Sequence, residues 1–120
     1  MLTFQPVRTI EFYKQASGSC PAEDFLDSLS PKQIQKITWV MRLVRELPHP
    51  SPQYFKKLVG TDLWEIRAEF GGDAFRLLCF FDGENLIIIT GGFAKKTNKT
   101  PKQEIETAER RMKDYFSRKA

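Results

Sequence analysis

Three extended runs separated by two glycine turns, all between Leu63 and Lys99, constrain this chain more than any other stretch. Gly71-Gly72-Asp73 and Asp82-Gly83 are hairpin signals, and they bound runs from Leu63 to Phe70, Ala74 to Phe81, and Leu86 to about Phe93. The pattern predicts an antiparallel meander. Side chains alternate between faces along a strand, so Trp64, Ile66, Ala68 and Phe70 share one face of the first run. Phe75, Leu77, Cys79 and Phe81 form an equally apolar face of the second, which makes this side the core. The opposite side carries Glu65, Arg67 and Glu69, then Arg76, Leu78 and Phe80.

Cations are not needed on a sheet face, and their pairing depends on the turn. With Gly71 and Gly72 as the two turn residues, Arg67 lies directly opposite Arg76, which is repulsive unless an anion such as phosphate sits between them. With Gly72-Asp73 as the turn, Arg76 faces Glu69 in an ordinary cross-strand ion pair. Carried across the second hairpin without a bulge at Gly91-Gly92, the same parity adds Ile87, Ile89, Gly91, Phe93 and Lys95 to the arginine face. Gly91 would then leave open space beside Arg76.

The flanking segments supply one more strand and three helices. Arg8 to Tyr13 alternates as a fourth strand, and Pro21 opens a short helix through Phe25, Leu26 and Leu29. Ser30-Pro31-Lys32-Gln33 is a capping box, followed by Ile34, Ile37, Met41, Val44 and Leu47 at helical spacing up to the stop at Pro48. Thr100-Pro101-Lys102-Gln103 repeats the capping pattern and starts a last helix whose apolar side holds Ile105, Ala108, Met112, Tyr115 and Phe116. Its other side, with Arg110, Arg111, Lys113, Arg118 and Lys119, reads as a solvated face. The expected fold is α+β, one domain over residues 1–120 in the order β-α-α-β-β-β-α. It has a mostly antiparallel sheet of about four strands, with the first two helices packed on the Trp64/Phe75 face.

Composition narrows the chemistry. No apolar run approaches the roughly 18 residues of a membrane span, and Met1 to Arg8 lacks the pattern of a secretory signal, so a cytoplasmic protein is expected. Cys20 and Cys79 have no metal spacing and read as buried free thiols. The single histidine, His49, lies in a proline-rich connector, which excludes two-histidine acid/base catalysis. No glycine-rich nucleotide loop is present, and neither a metal nor a small-molecule cofactor is expected. A net charge of +4 suits a polyanionic or acidic partner.

What remains is a cluster of cations: Lys56 and Lys57 before the meander, Arg67 and Arg76 within it, and Lys95, Lys96 and Lys99 after it. Cleavage of RNA by its own 2′-hydroxyl requires that hydroxyl deprotonated, the pentavalent phosphorus neutralised and the 5′-oxygen protonated. Arginine clamps two phosphate oxygens, and lysines crowded by other cations acquire a lowered pKa and exchange protons.

Leu63-Trp64-Glu65-Ile66-Arg67, then Phe75-Arg76-Leu77, then the run from Gly92-Phe93-Ala94-Lys95-Lys96 through Thr97-Asn98-Lys99-Thr100-Pro101, resemble the RelE/ParE toxin superfamily, most of all its HigB-like, phage-derived branch. The resemblance implies a RelE-like fold and a toxin of a type II toxin–antitoxin system that cleaves mRNA on the ribosome. It also implies a cognate antitoxin that covers the cationic face or displaces the last helix. The superfamily contains gyrase poisons on the same fold, and a non-catalytic nucleic-acid-binding domain is the alternative from another class. By motif, Arg67 and Arg76 would bind the scissile phosphate, and Lys95 or Lys96 would transfer a proton or stabilise charge. Lys56, Lys57, Lys99 and Phe93 would contact RNA, Phe93 by stacking alone because it has no hydroxyl. Removing either arginine from a non-core face is expected to abolish cleavage with little change in thermal midpoint.

Overall fold

A computed structural model describes residues 6–95 and 99–119. The meander forms because Gly71 (φ 61°) and Gly72 (φ 86°) both take the left-handed conformation that a two-residue hairpin turn requires. Around that turn run β3 (Trp64–Phe70) and β4 (Asp73–Asp82), and β5 (Leu86–Lys95) follows through the second turn. The register is therefore the one that places Arg67 opposite Arg76, not the Glu69 pairing.

Two further strands complete the sheet in the order β1-β5-β4-β3-β2. β1 (Thr9–Phe12) adds in parallel to β5, and β2 (Phe55–Lys57) adds antiparallel to β3, so the sheet has five strands rather than about four. β2 has only three residues and follows a run of prolines, too short for an alternation signal. It is held by Phe55, whose ring stacks on Trp64 at 4.6 Å.

α1 (Pro21–Asp27) and α2 (Pro31–Glu46) lie on the predicted core face, where Ala22, Ile37, Val40 and Val44 bury Ile66, Ala68, Phe75, Leu77 and Cys79. The Ser30–Gln33 capping box forms in both directions, at 3.2 and 2.9 Å. Arg8 closes the other end of α2, donating to the carbonyls of Val44, Leu47 and Pro48. That clasp turns the chain toward β2 and the site.

α3 (Lys102–Lys119) packs on the opposite face. Ala108, with Ile105, Met112 and Tyr115, covers Leu78, Phe80 and Ile88 in a second, smaller core. The parity expected for β5 holds only in its second half. Thr90 is an extra residue, since Cys79 pairs with Ile89 and Leu78 with Gly91. Before this bulge Ile87 and Ile89 face α1 and α2; after it Gly91, Phe93 and Lys95 join the arginine face. The space beside Gly91 is not open, because a Cβ there would meet Arg111 Nη1 at 2.7 Å. Arg111 is thus no solvated-face residue: it donates to the Thr90 carbonyl at 3.1 Å and ties α3 to the bulge. Among the described residues no helix is long and apolar enough to cross a membrane.

Candidate active site

The arginine face is divided along its length. Its apolar half, Leu78, Phe80 and Ile88, is what α3 covers. The polar half of Glu65, Arg67, Arg76 and Lys95 lies beyond the start of the helix. There an open groove of about 500 Å³ is lined by Lys56, Lys57, Glu65, Arg67, Lys95 and Lys99, with Leu58, Val59, Thr100 and Ile105 at its sides. Five of the candidate cations are brought together in this groove by four different stretches of chain.

Arg67 lines this groove, and Arg76, its partner across the ladder, lies buried next to it and outside the lining. Arg76 is only 3% exposed, donates to the Phe75 carbonyl at 3.0 Å, and lies with its Nε 4.0 Å from Glu65 Oε1, too long for a hydrogen bond. Arg67 is half-buried and donates one Nη1 bond, at 3.2 Å, to the Pro52 carbonyl. Among the described residues neither Nε has a hydrogen-bond partner although both are buried. Buried unpaired donors on adjacent cations are costly, and they are the groups an anionic ligand would satisfy. Burial, and then the neighbouring Arg67, lower the Arg76 pKa from its ordinary value, opposed by Glu65 and Glu69.

Lys95 enters from β5, where it pairs with Ala74 and so shares the arginine face. Burial lowers its pKa first, then the charge of Arg76, with Glu65 opposing and Arg67 and Lys56 adding to the depression. This is the crowding that prepares an ammonium to give up its proton. Lys56 sits across from Glu65 on β2 and is exposed, as is Lys57 at the strand end. Phe93 is the cross-strand partner of Arg76, but it packs against the α3 core and does not line the groove. Lys96 lies outside the described residues.

Alternation places Glu65 on this face and assigns it no role. It is 3% exposed, the one acid among the described groove residues, and its Oε2 accepts a hydrogen bond from the Thr100 hydroxyl. A charged residue among cations on the polar side of a strand was the available signal; burial beneath Thr100 was not readable. Val59, 96% exposed on the β2–β3 turn, was also missed, since a lone apolar loop residue carries no pattern.

A mostly antiparallel sheet with helices on both faces and a basic groove on the half-covered side is compatible with the RelE-like fold class. Residues 24–113, three quarters of the chain, match the family described as Phage derived protein Gp49-like (DUF891). The chain belongs to that family, which is a RelE/HigB-type family of toxins from toxin–antitoxin systems. An antitoxin is therefore its implied partner. No curated protein matches the chain at a significant level.

Proposed function

We propose that the protein is an endoribonuclease toxin that cleaves mRNA on the ribosome, using its own cations to promote attack of the 2′-hydroxyl on the adjacent phosphate. The observation that carries this reading is the Arg67–Arg76 pair: directly opposite in the ladder, with both Nε groups buried and, among the described residues, unpaired, and with Arg67 in the lining of an open groove. A phosphodiester bridging the two guanidiniums would replace repulsion with charge-assisted hydrogen bonds that strengthen as negative charge builds on the phosphorane.

In this scheme Arg67 and Arg76 bind the scissile phosphate, and Lys95, with its lowered pKa, protonates the departing 5′-oxygen. Lys96 remains a candidate for charge stabilisation. Lys56, Lys57 and Lys99 hold neighbouring phosphates, as their place along the groove suits. The exposed Val59 gives the groove an apolar edge for a base. Phe93 packs against the α3-side core beside Arg76 and has no base-stacking role in this scheme.

The test is to map transcript 5′ ends after inducing the protein, with and without translation, alongside gyrase cleavage assays. New 5′-hydroxyl ends that require translation, persist in chelator and vanish in Arg67→Ala are expected. Intact transcripts with gyrase trapped on DNA would replace this reading with gyrase poisoning.

A further inference from the structure

Resting on the ribonuclease reading, we propose that Glu65 is the proton acceptor of the cleavage step, taking the 2′-hydroxyl proton while Lys95 supplies the proton to the leaving group. A groove that only bound polyanions would gain nothing from a carboxylate in its lining, because it repels the ligand. A simple counter-ion for Arg76 would be expected to meet it in a forked, hydrogen-bonded pair. Glu65 does neither. Its Oε1 stands 4.0 Å from Arg76 Nε, while Oε2 is oriented by Thr100, so the carboxylate is held by its surroundings and Oε1 keeps lone pairs for a new donor.

Other groups on the face are less suited. Arginines stay protonated in water-accessible sites, Lys95 must begin charged if it is to donate, and His49 is exposed in the α2–β2 connector outside the groove. The charges facing Glu65 are Lys56 across the β2 ladder, Arg67 and Glu69 on its own strand, Arg76 from β4, Lys95 from β5, and Lys99 beside Thr100 ahead of α3. These are mostly cations, which surround the one carboxylate of the groove lining with positive charge. In the step itself the 2′-oxygen forms its bond to phosphorus as its proton passes to Glu65. The bond from phosphorus to the 5′-oxygen breaks, and that oxygen takes the Lys95 proton. The products are a 2′,3′-cyclic phosphate and a 5′-hydroxyl end.

Single-turnover cleavage of a ribosome-bound message by wild type, Glu65→Gln and Lys95→Ala, across pH, tests the assignment. Wild type should show a limb that rises with pH on the acid side. Glu65→Gln should lose about 100-fold or more in rate and lose that limb, while binding the same message made uncleavable by a 2′-deoxy residue as tightly as wild type. A sulfur in place of the 5′-bridging oxygen leaves without protonation, so it should restore Lys95→Ala and not Glu65→Gln. The proposal is overturned if Glu65→Gln cleaves within a few-fold of wild type, if the sulfur substrate restores it, or if binding falls in step with rate, as for a structural counter-ion. Should the glutamine variant not fold, the wild-type profile decides: no acid-side limb overturns the assignment. Wild type that cleaves no message in any arm instead refutes the ribonuclease reading beneath it.

Discussion

Arg67→Ala separates function from stability in a way specific to this geometry. Two like charges about 5 Å apart at an effective dielectric near 20 repel by about 3 kcal/mol, and solvent reaching half-buried Arg67 reduces that to about 1 kcal/mol. Against this relief stands the one side-chain hydrogen bond of Arg67 among the described residues, to the Pro52 carbonyl, roughly 0.5–1 kcal/mol. The terms nearly cancel, so the midpoint should stay within about 3 °C of wild type. Cleavage should fall by about 100-fold or more, because a phosphate clamp acts most strongly in the transition state. Thermal melts with and without an uncleavable 2′-deoxy-substituted RNA add a second readout. At a ligand concentration of about 100 times Kd, binding stabilises wild type by about 2.7 kcal/mol, and Arg67→Ala should lose most of that rise. A variant that melts many degrees lower yet cleaves normally would refute the reasoning, and would make Arg67 a brace for the Pro52 segment.

Arg76→Ala is expected to behave differently from the sequence-based expectation of an unchanged midpoint, since Arg76 is buried. It leaves the 3%-exposed Glu65 carboxylate without its nearest cation, at a cost of about 3–5 kcal/mol by chemical denaturation, along with lost cleavage. Arg76→Lys should restore charge without restoring the fork, and so should not rescue cleavage. Lys95 titrates below an ordinary lysine in the folded state, so between the two values the unfolded chain binds the proton and the native protein does not. Stability should rise with pH across that interval, and Lys95→Met should be stabilising at neutral pH, with a gain that shrinks as pH climbs through it; denaturant melts at several pH values check this. Gly92→Ala should destabilise strongly, because its Cβ would stand 2.5 Å from Phe25 and 2.7 Å from Leu77 in the main core.

The features legible in the sequence are those set by local rules. The paired glycines marked the hairpin and narrowed its register to two, the Ser30–Gln33 box started α2, and the Ile105–Tyr115 stripe specified a helix that buries one side. What escaped depends on contacts between distant residues. β2 exists because Phe55 finds Trp64, and the Thr90 bulge persists because its hydroxyl reaches the Leu78 carbonyl and its own carbonyl accepts from Arg111 on α3. The bulge then inverts which residues of β5 face the site, so a parity argument from sequence lost Ile87 and Ile89 while keeping Lys95. Alternation placed the arginines on one face; it had no means of showing that Arg76 lies buried under its neighbours while Arg67 remains partly open.

That asymmetry bears on how an antitoxin neutralises the protein. α3 is fastened at several points besides its apolar stripe: Arg111 to Thr90, Tyr13 to Asp114 at 2.6 Å, Tyr115 to Asp82 at 2.7 Å, and Lys119 to Asp82. Displacing it would expose the Phe80 core and break this set together. The arginine face is held less favourably, with like charges opposed across the ladder and, among the described residues, two buried donors unpaired. An acidic antitoxin segment laid into it would satisfy those donors and exclude RNA in a single contact. Inhibition and stabilisation should then depend on the same residues. Arg67→Ala should weaken the antitoxin complex severalfold or more, steeply so at low salt, while Tyr115→Phe on α3 leaves its affinity unchanged. Titration calorimetry at two salt concentrations distinguishes the modes, and equal affinity for wild type and Arg67→Ala would mean that the antitoxin works through the last helix instead.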